Sequence, residues 1–239
     1  MEFKEQRNKL TAAIRWTARL DMHEGISNHF SLAMTDDGKR FLMNPFGKHW
    51  SRVKSSDLLD LNVDSDPNKF GIKLDKTAWG IHGAIHRKVP HAKCVMHVHS
   101  KYATTLACLK NPILPPIDQN SMAFYNRVTY DDGYDGLGFG NEGERIASKL
   151  GNNSVILLCQ HGVLFVGPNV ADTFEKMYYF ERACRTYILA LQTGKELNIA
   201  SHEVAEKTAQ QQIDLTHYGE EHLKAICEVL GQEEPDYLN

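Results

Sequence analysis

The chain has 239 residues, 42% of them apolar, with 27 basic against 30 acidic side chains and a formal charge of -3. That length can bury a real core, and the near-neutral charge gives no electrostatic footprint for nucleic acid or an anionic membrane. No run of about 18 apolar residues suggests a transmembrane helix, and the charged start MEFKEQRNKLTAAIRW lacks a signal-peptide core, so a cytoplasmic protein is expected.

In chain order, residues 3–21 predict an amphipathic helix, with Leu10, Ala13, Ile14 and Ala18 at helical spacing. Residues 28–34 and 40–44 read as two strands around the turn Asp36-Asp37-Gly38. A helix over 77–87 is stopped by Pro90, and 93–99 is a short β-type run after which Ser100 caps a helix to about Leu109. Residues 111–140, rich in Pro, Gly, Asp and Tyr, predict loops and short strands, and Asn141 caps a helix to about Leu150. Two apolar strands follow at 155–159 and 163–166, then a long helix over 170–191 closed by Gly194, then helices from about Ser201 and Gly219. Strands alternating with helices before a helical tail give an α/β layered fold. With no repeat, low-complexity tract or linker, one domain over 1–239 is expected.

The five cysteines are scattered with no C-x-x-C pair, which argues against a disulfide framework or a cysteine zinc site. Histidine is the outlier: 12 residues, roughly double an average chain's share. In Cys94-Val95-Met96-His97-Val98-His99-Ser100, strand alternation puts His97 and His99 on one face, about 7 Å apart along the chain. Two such imidazoles either share a metal with a third ligand or are half-buried groups satisfied by hydrogen bonds. His161, in Leu157-Leu158-Cys159-Gln160-His161-Gly162, ends an apolar strand, where sites form in α/β layers, but spacing alone cannot bring it to His97.

The pair HVHS, followed by LLCQHGVLFVGPNVADTFEKMYYFERAC and preceded by the Gly-rich loop Gly25-Ile26-Ser27-Asn28-His29-Phe30-Ser31, resembles the class II aldolase/adducin family. The resemblance runs from Gly25 to about Tyr218. It implies a three-layer α/β/α fold with a mainly antiparallel central sheet, usually assembled as a homotetramer with sites between subunits. It implies a divalent metal, most often zinc with manganese or iron as alternatives, on His97, His99 and His161, and a small anionic substrate near Ser27, Asn28, His29, Gly47 and Lys76. Tyr218 and Asp118 match positions where family enzymes place acid/base groups from a neighbouring subunit; Gln119 shares the second place.

Two departures matter. The family aldolases carry a catalytic Glu just before Trp79, and here that position is Ala78, which moves no proton. The aldolases' Thr-Gly phosphate turn reads Phe46-Gly47 and their Ser pair reads Lys76-Thr77. Phe46 either shapes the pocket for a flatter anion or packs the core. His82 and His86 have the i,i+4 spacing of a metal pair, yet the Glu of H-E-x-x-H is missing, so a role in the core or behind the ligands is expected. His23, His29 and His49 border the loop and the turn and read either as solvated loop histidines or as lining the site, His29 and His49 first, and the Tyr/Asp-rich segment 125–135 reads as a lid, an intersubunit loop or a plain solvated loop.

The reading is a metal-dependent lyase, aldolase-like or decarboxylase-like, that stabilises an enolate of a small oxygenated carboxylate or carbonyl compound. The alternatives are a non-catalytic adducin-like assembly module and a metal-dependent oxygenase of the same fold.

Overall fold

The computed structural model describes residues 2–136, 140–215 and 217–239. Thr216, beside the predicted Tyr218 motif, and residues 137–139 of the loop-rich segment lie outside the described residues. Seven strands form one sheet: β1 (His29–Ala33), β2 (Arg40–Met43), β3 (Leu59–Asn62), β4 (Cys94–Val98), β5 (Val128–Asp131), β6 (Val155–Leu158) and β7 (Gly162–Gly167). Their spatial order is β3-β2-β1-β4-β7-β6-β5, antiparallel throughout except for the parallel β5–β6 edge. Among the described residues eight α-helices surround it: α1 (Lys4–Arg19), α2 (Lys76–Lys88), α3 (Lys101–Ala107), α4 (Gln119–Ala123), α5 (Glu142–Leu150), α6 (Val170–Gln192), α7 (His202–Ile213) and α8 (His217–Glu233).

Side-chain alternation sorts the layers. On β4, Cys94, Met96 and Val98 join Phe30, Leu42, Leu157 and Phe165 in a core covered by α1, α3, α6 and α8. Val95 points to the other face, where Ile156, Leu158, Leu164 and Val166 pack under Ile81 and Ile85 of α2 and Ile146 and Leu150 of α5. A third cluster of Phe41, Met43, Leu61, Leu74 and Ala78 lies under the start of α2. The expected three-layer α/β/α arrangement with a mainly antiparallel sheet is present.

Local chemistry explains most boundaries. Asp75 starts α2 by accepting the N–H groups of Thr77 and Ala78. Asn169 caps α6, and Gly194, at φ 67, turns the chain beyond its end. Gly38 tips the β1–β2 hairpin at φ 67, where a Cβ would stand 2.2 Å from the His86 carbonyl oxygen. Two expectations are corrected, and two elements were not foreseen. Ser100 occupies the N-cap of α3, but its hydroxyl donates instead to Glu181 of α6, whose carboxylate accepts the N–H groups of Tyr102 and Ala103. Asn141 precedes α5 without a side-chain capping bond. Strand β3, whose sequence LDLN is short and half polar at the sheet edge, and helix α4 carry no periodic pattern long enough to announce them.

Candidate metal centre

Strand β4 sits in mid-sheet between β1 and β7, and its register sets the site. His97 lies opposite His29 on β1 and Leu164 on β7. His99 follows at the strand's end, and the β6–β7 turn brings in His161. That turn is tight: Gln160 adopts a left-handed φ of 62, and its N–H donates to the Ala107 carbonyl. Gly162 is required there, since a Cβ would come within 2.7 Å of the Val98 carbonyl oxygen and 2.8 Å of the His99 ring. The three rings meet with every centroid pair at 4.8 Å, and one nitrogen from each lies within 4.8 Å of the others. His97 is buried, while His99 and His161 are half-buried, so the cluster opens on one side.

Hydrogen-bond partners assign the protons. His97 Nδ1 lies 3.0 Å from the Val163 carbonyl oxygen, which only accepts, so Nδ1 carries the proton. His99 Nδ1 lies 2.5 Å from Glu24 Oε2 and donates to that carboxylate. In neutral rings both Nε2 atoms are then bare, yet they face each other at 2.9 Å. Two lone pairs at that distance repel unless a positive centre lies between them. A proton would serve this pair alone, whereas His161 also brings a ring nitrogen within 4.8 Å of one on each of them. A single cation is therefore within reach of all three rings, and the donor set fits a divalent metal of the open, three-histidine kind.

The electrostatics keep His97 and His161 in the ligating form. Burial pushes His97 well below its usual value, with neighbouring histidines adding to the effect. Burial, reinforced by His99 and opposed by Glu24, pushes His161 down to about 4. Glu24 was not singled out from the sequence; it lies 75 residues before His99, and only the fold brings them together. Tyr134, from the Tyr/Asp-rich segment, has its ring 6.0 Å from that of His161. In the same segment Asp131 is buried and held by Arg145 and Lys149, so that stretch is more than a solvated loop.

The other predicted site residues divide. Asn28 is buried beside the cluster's strand. Its side-chain oxygen accepts the Glu24 N–H at 2.7 Å, and its Nδ2 is a buried donor without a partner. Ser27 is exposed in the turn closed onto the Glu24 carbonyl. His29 is buried, its ring 4.8 Å from that of His97. Gly47, at φ 81, and Phe46 line a cavity of about 760 Å³ with Lys48, Asp57 and Lys73, and none of the three clustered histidines lines it. Phe46 is 40% exposed, which removes the reading that it packs the core. Lys76 turns to the surface and donates to Asn68 at 2.8 Å. Asp118 caps α4 by accepting the Ser121 N–H. Tyr218 is exposed on α8 and lines a different cleft, with Arg127, Lys176 and Tyr179. Within one chain the structure therefore does not bring Lys76, Asp118 or Tyr218 to the histidine cluster as contacts. Ala78 is fully buried among Phe41, Met43, Leu61 and Leu74.

A family model for the class II aldolase and adducin N-terminal domain matches residues 8–188. The chain belongs to that family. A class 2 aldolase-type protein of Caulobacter vibrioides is 28% identical over 213 residues, covering 88% of this chain and 82% of that protein. The decarboxylase NovR of Streptomyces niveus is 28% identical over 202 residues, covering 83% of this chain and 74% of NovR. The crystal structure of an aldolase II superfamily protein from Pseudomonas syringae superposes with a TM-score of 0.89 at 31% identity, covering 99% of this chain and 96% of that one. Among the described residues no helix is long and apolar enough to cross a membrane.

Proposed function

We propose that this protein is a divalent-metal-dependent carbon–carbon lyase, with His97, His99 and His161 as the metal ligands and zinc as the expected ion. The observation that carries the reading is the facing pair of bare Nε2 atoms, 2.9 Å apart, with a ring nitrogen of His161 within 4.8 Å of one on each of these rings. A bound ion there would polarise a carbonyl oxygen and offset the negative charge that develops on it. The chain's own groups do the rest. Glu24 holds His99 in the ligating tautomer, and the Val163 carbonyl does the same for His97. Asn28 Nδ2 offers a buried donor to the anionic end of the substrate, with Ser27 and His29 beside it on the same loop and strand.

The family's aldolase acid is absent, and Ala78 is sealed in an apolar cluster. That favours loss of carbon dioxide from a small oxygenated carboxylate over retro-aldol cleavage, in keeping with the decarboxylase among the relatives. Gly47 and Lys76 lie outside the histidine cluster and act, in this reading, on a longer substrate or across a subunit contact, as do Tyr218 and Asp118 in a homotetramer. A single domain over 1–239, with a cytoplasmic location, completes the proposal.

The test is metal analysis of the purified protein, with a screen of 2-hydroxy and 2-oxo carboxylates and sugar phosphates. About one zinc, manganese or iron per chain is expected, with product formation that His97→Ala abolishes. Protein without bound metal, or activity unchanged by His97→Ala, overturns the reading.

A further inference from the structure

The sheet face that carries His97 also carries a chain of buried polar groups that the metal ligands do not use. His29 and Ser31 are two apart on β1 and share that face, while His82 and His86 are one turn apart on α2 above it. His29 Nδ1 lies 2.7 Å from His82 Nε2, and His82 Nδ1 lies 2.5 Å from Ser31 Oγ. Ser31 Oγ lies 2.7 Å from His86 Nε2, and His86 Nδ1 lies 2.7 Å from the Ala92 carbonyl oxygen. All four side chains are buried. This polar seam runs between the two apolar clusters under α2.

A fixed end sets the direction of every proton in the chain. The Ala92 carbonyl only accepts, so His86 Nδ1 carries a proton. His86 is neutral, since burial pushes it down to about 4, so its Nε2 is bare and Ser31 must donate to it. The serine has one proton, so its lone pair takes the proton on His82 Nδ1. His82 is fully buried and likewise held neutral, so its Nε2 is bare and His29 Nδ1 must donate to it. His29 is thereby left with an unprotonated Nε2 on a ring whose centroid lies 4.8 Å from that of His97. Among the described residues that atom has no hydrogen-bond partner and is not one of the sealed, unpartnered nitrogens.

We propose that the chain Ala92–His86–Ser31–His82 locks His29 as its Nδ1–H tautomer, so that Nε2 stands beside the metal centre as an obligate acceptor for a hydroxyl group of the substrate. The inference rests on the proposed function and deepens it. The substrate carries an O–H next to the oxygen that approaches the metal, as in a 2-hydroxy carboxylate or 2-hydroxy carbonyl compound. An ether or a second carboxylate at that position meets a lone pair and is rejected. His29 touches the substrate in this assignment; Ser31, His82 and His86 are positioning residues that act through it.

The lock is tested without metal, by 15N NMR of the imidazole rings in the full chain, with His29 assigned by comparison with His29→Gln. The expected spectrum shows His29 protonated at Nδ1 and bare at Nε2, the reverse of the tautomer that free imidazole side chains favour. Ser31→Ala cuts the chain and mixes the two tautomers of His29, whereas Ser31→Thr keeps the hydroxyl and keeps the spectrum. A protonated Nε2 in the wild type, or a spectrum indifferent to Ser31→Ala in a variant that still unfolds cooperatively, overturns the lock. Recognition is tested by titrating the zinc-loaded protein with glycolate and with methoxyacetate. Glycolate is expected to bind about tenfold more tightly, a preference that His29→Leu removes. Equal binding, or a preference that survives His29→Leu, overturns the assignment of the acceptor. Failure to take up zinc counts against the lyase reading instead, and the metal-free spectrum still decides the lock.

Discussion

Glu181, on α6, caps α3 from across the core: Oε2 accepts from the Ser100 hydroxyl at 2.6 Å and from the Ala103 N–H at 2.9 Å, while Oε1 accepts from the Tyr102 N–H at 2.9 Å. The carboxylate is buried, and desolvation raises its proton affinity while the three donors oppose that rise. A serine directly after His99 thus ties the end of the histidine-bearing strand to the longest helix.

Glu181→Ala leaves the Tyr102 and Ala103 N–H groups and the buried Ser100 hydroxyl without their acceptor. The expected loss is about 2–4 kcal/mol of unfolding free energy, read from the denaturation midpoint in urea. Because α3 begins where β4 ends, the same variant should also weaken metal binding. A loss below about 1 kcal/mol would show that water replaces the carboxylate and that the cap is dispensable.

Glu24→Gln keeps the shape of the partner of His99 Nδ1 but removes its charge. Carboxylates behind ligating histidines typically contribute about 10–100-fold in metal affinity, and a loss in that range is expected by competition with a chromophoric chelator. Unfolding free energy of the metal-free protein should change by less than about 1 kcal/mol, since Glu24 is exposed.

Acid should destabilise the metal-free protein through its buried histidines. His86 is held at about 4 by burial, against about 6.5 when unfolded. Between those values the unfolded chain binds the extra proton, so stability is complete above about pH 6.5 and falls as pH drops toward 4. His86 alone contributes on the order of 3 kcal/mol to this slope, and His82 and His97 act in the same direction. Unfolding free energy measured from pH 7 to 4 should therefore drop steeply, and His86→Gln should flatten the curve. A flat wild-type curve would show that these rings are hydrated and already titrate normally.

The α/β/α layering was legible because the two sheet faces are written in alternate residues. Cys94, Met96 and Val98 serve one core and Val95 the other, and the same parity puts His97 on the α2 side. His97, His99 and His161 were legible as candidates, through strand alternation and a strand-end glycine, and the fold brings their rings together. What supports them was not legible. Glu24 and Glu181 are ordinary polar residues that act only through contacts tens of residues away, and no local pattern marks them. Ser31 closes the Gly-rich motif, but nothing in that motif announces its bonds to His82 and His86. Lys76, Asp118 and Tyr218 were drawn from resemblance. The folded chain gives the first two local partners, in Asn68 and the Ser121 amide, and places Tyr218 on a separate cleft.

Ala78→Glu asks whether the missing aldolase acid can be put back. Ala78 has no exposed surface and packs with Phe41, Met43, Leu61 and Leu74 under the start of α2. A glutamate there either buries its carboxylate among apolar side chains or forces them apart, and both routes cost about 2 kcal/mol or more. Asp75 already caps the same helix turn, so a second acid adjacent to it adds like-charge repulsion. The expected variant is less stable than the parent by at least that amount and gains no cleavage of sugar phosphates. A stable variant with new retro-aldol activity would mean that this layer opens to the metal centre. The active-site pocket would then extend beneath α2, and the decarboxylase reading would lose its main support.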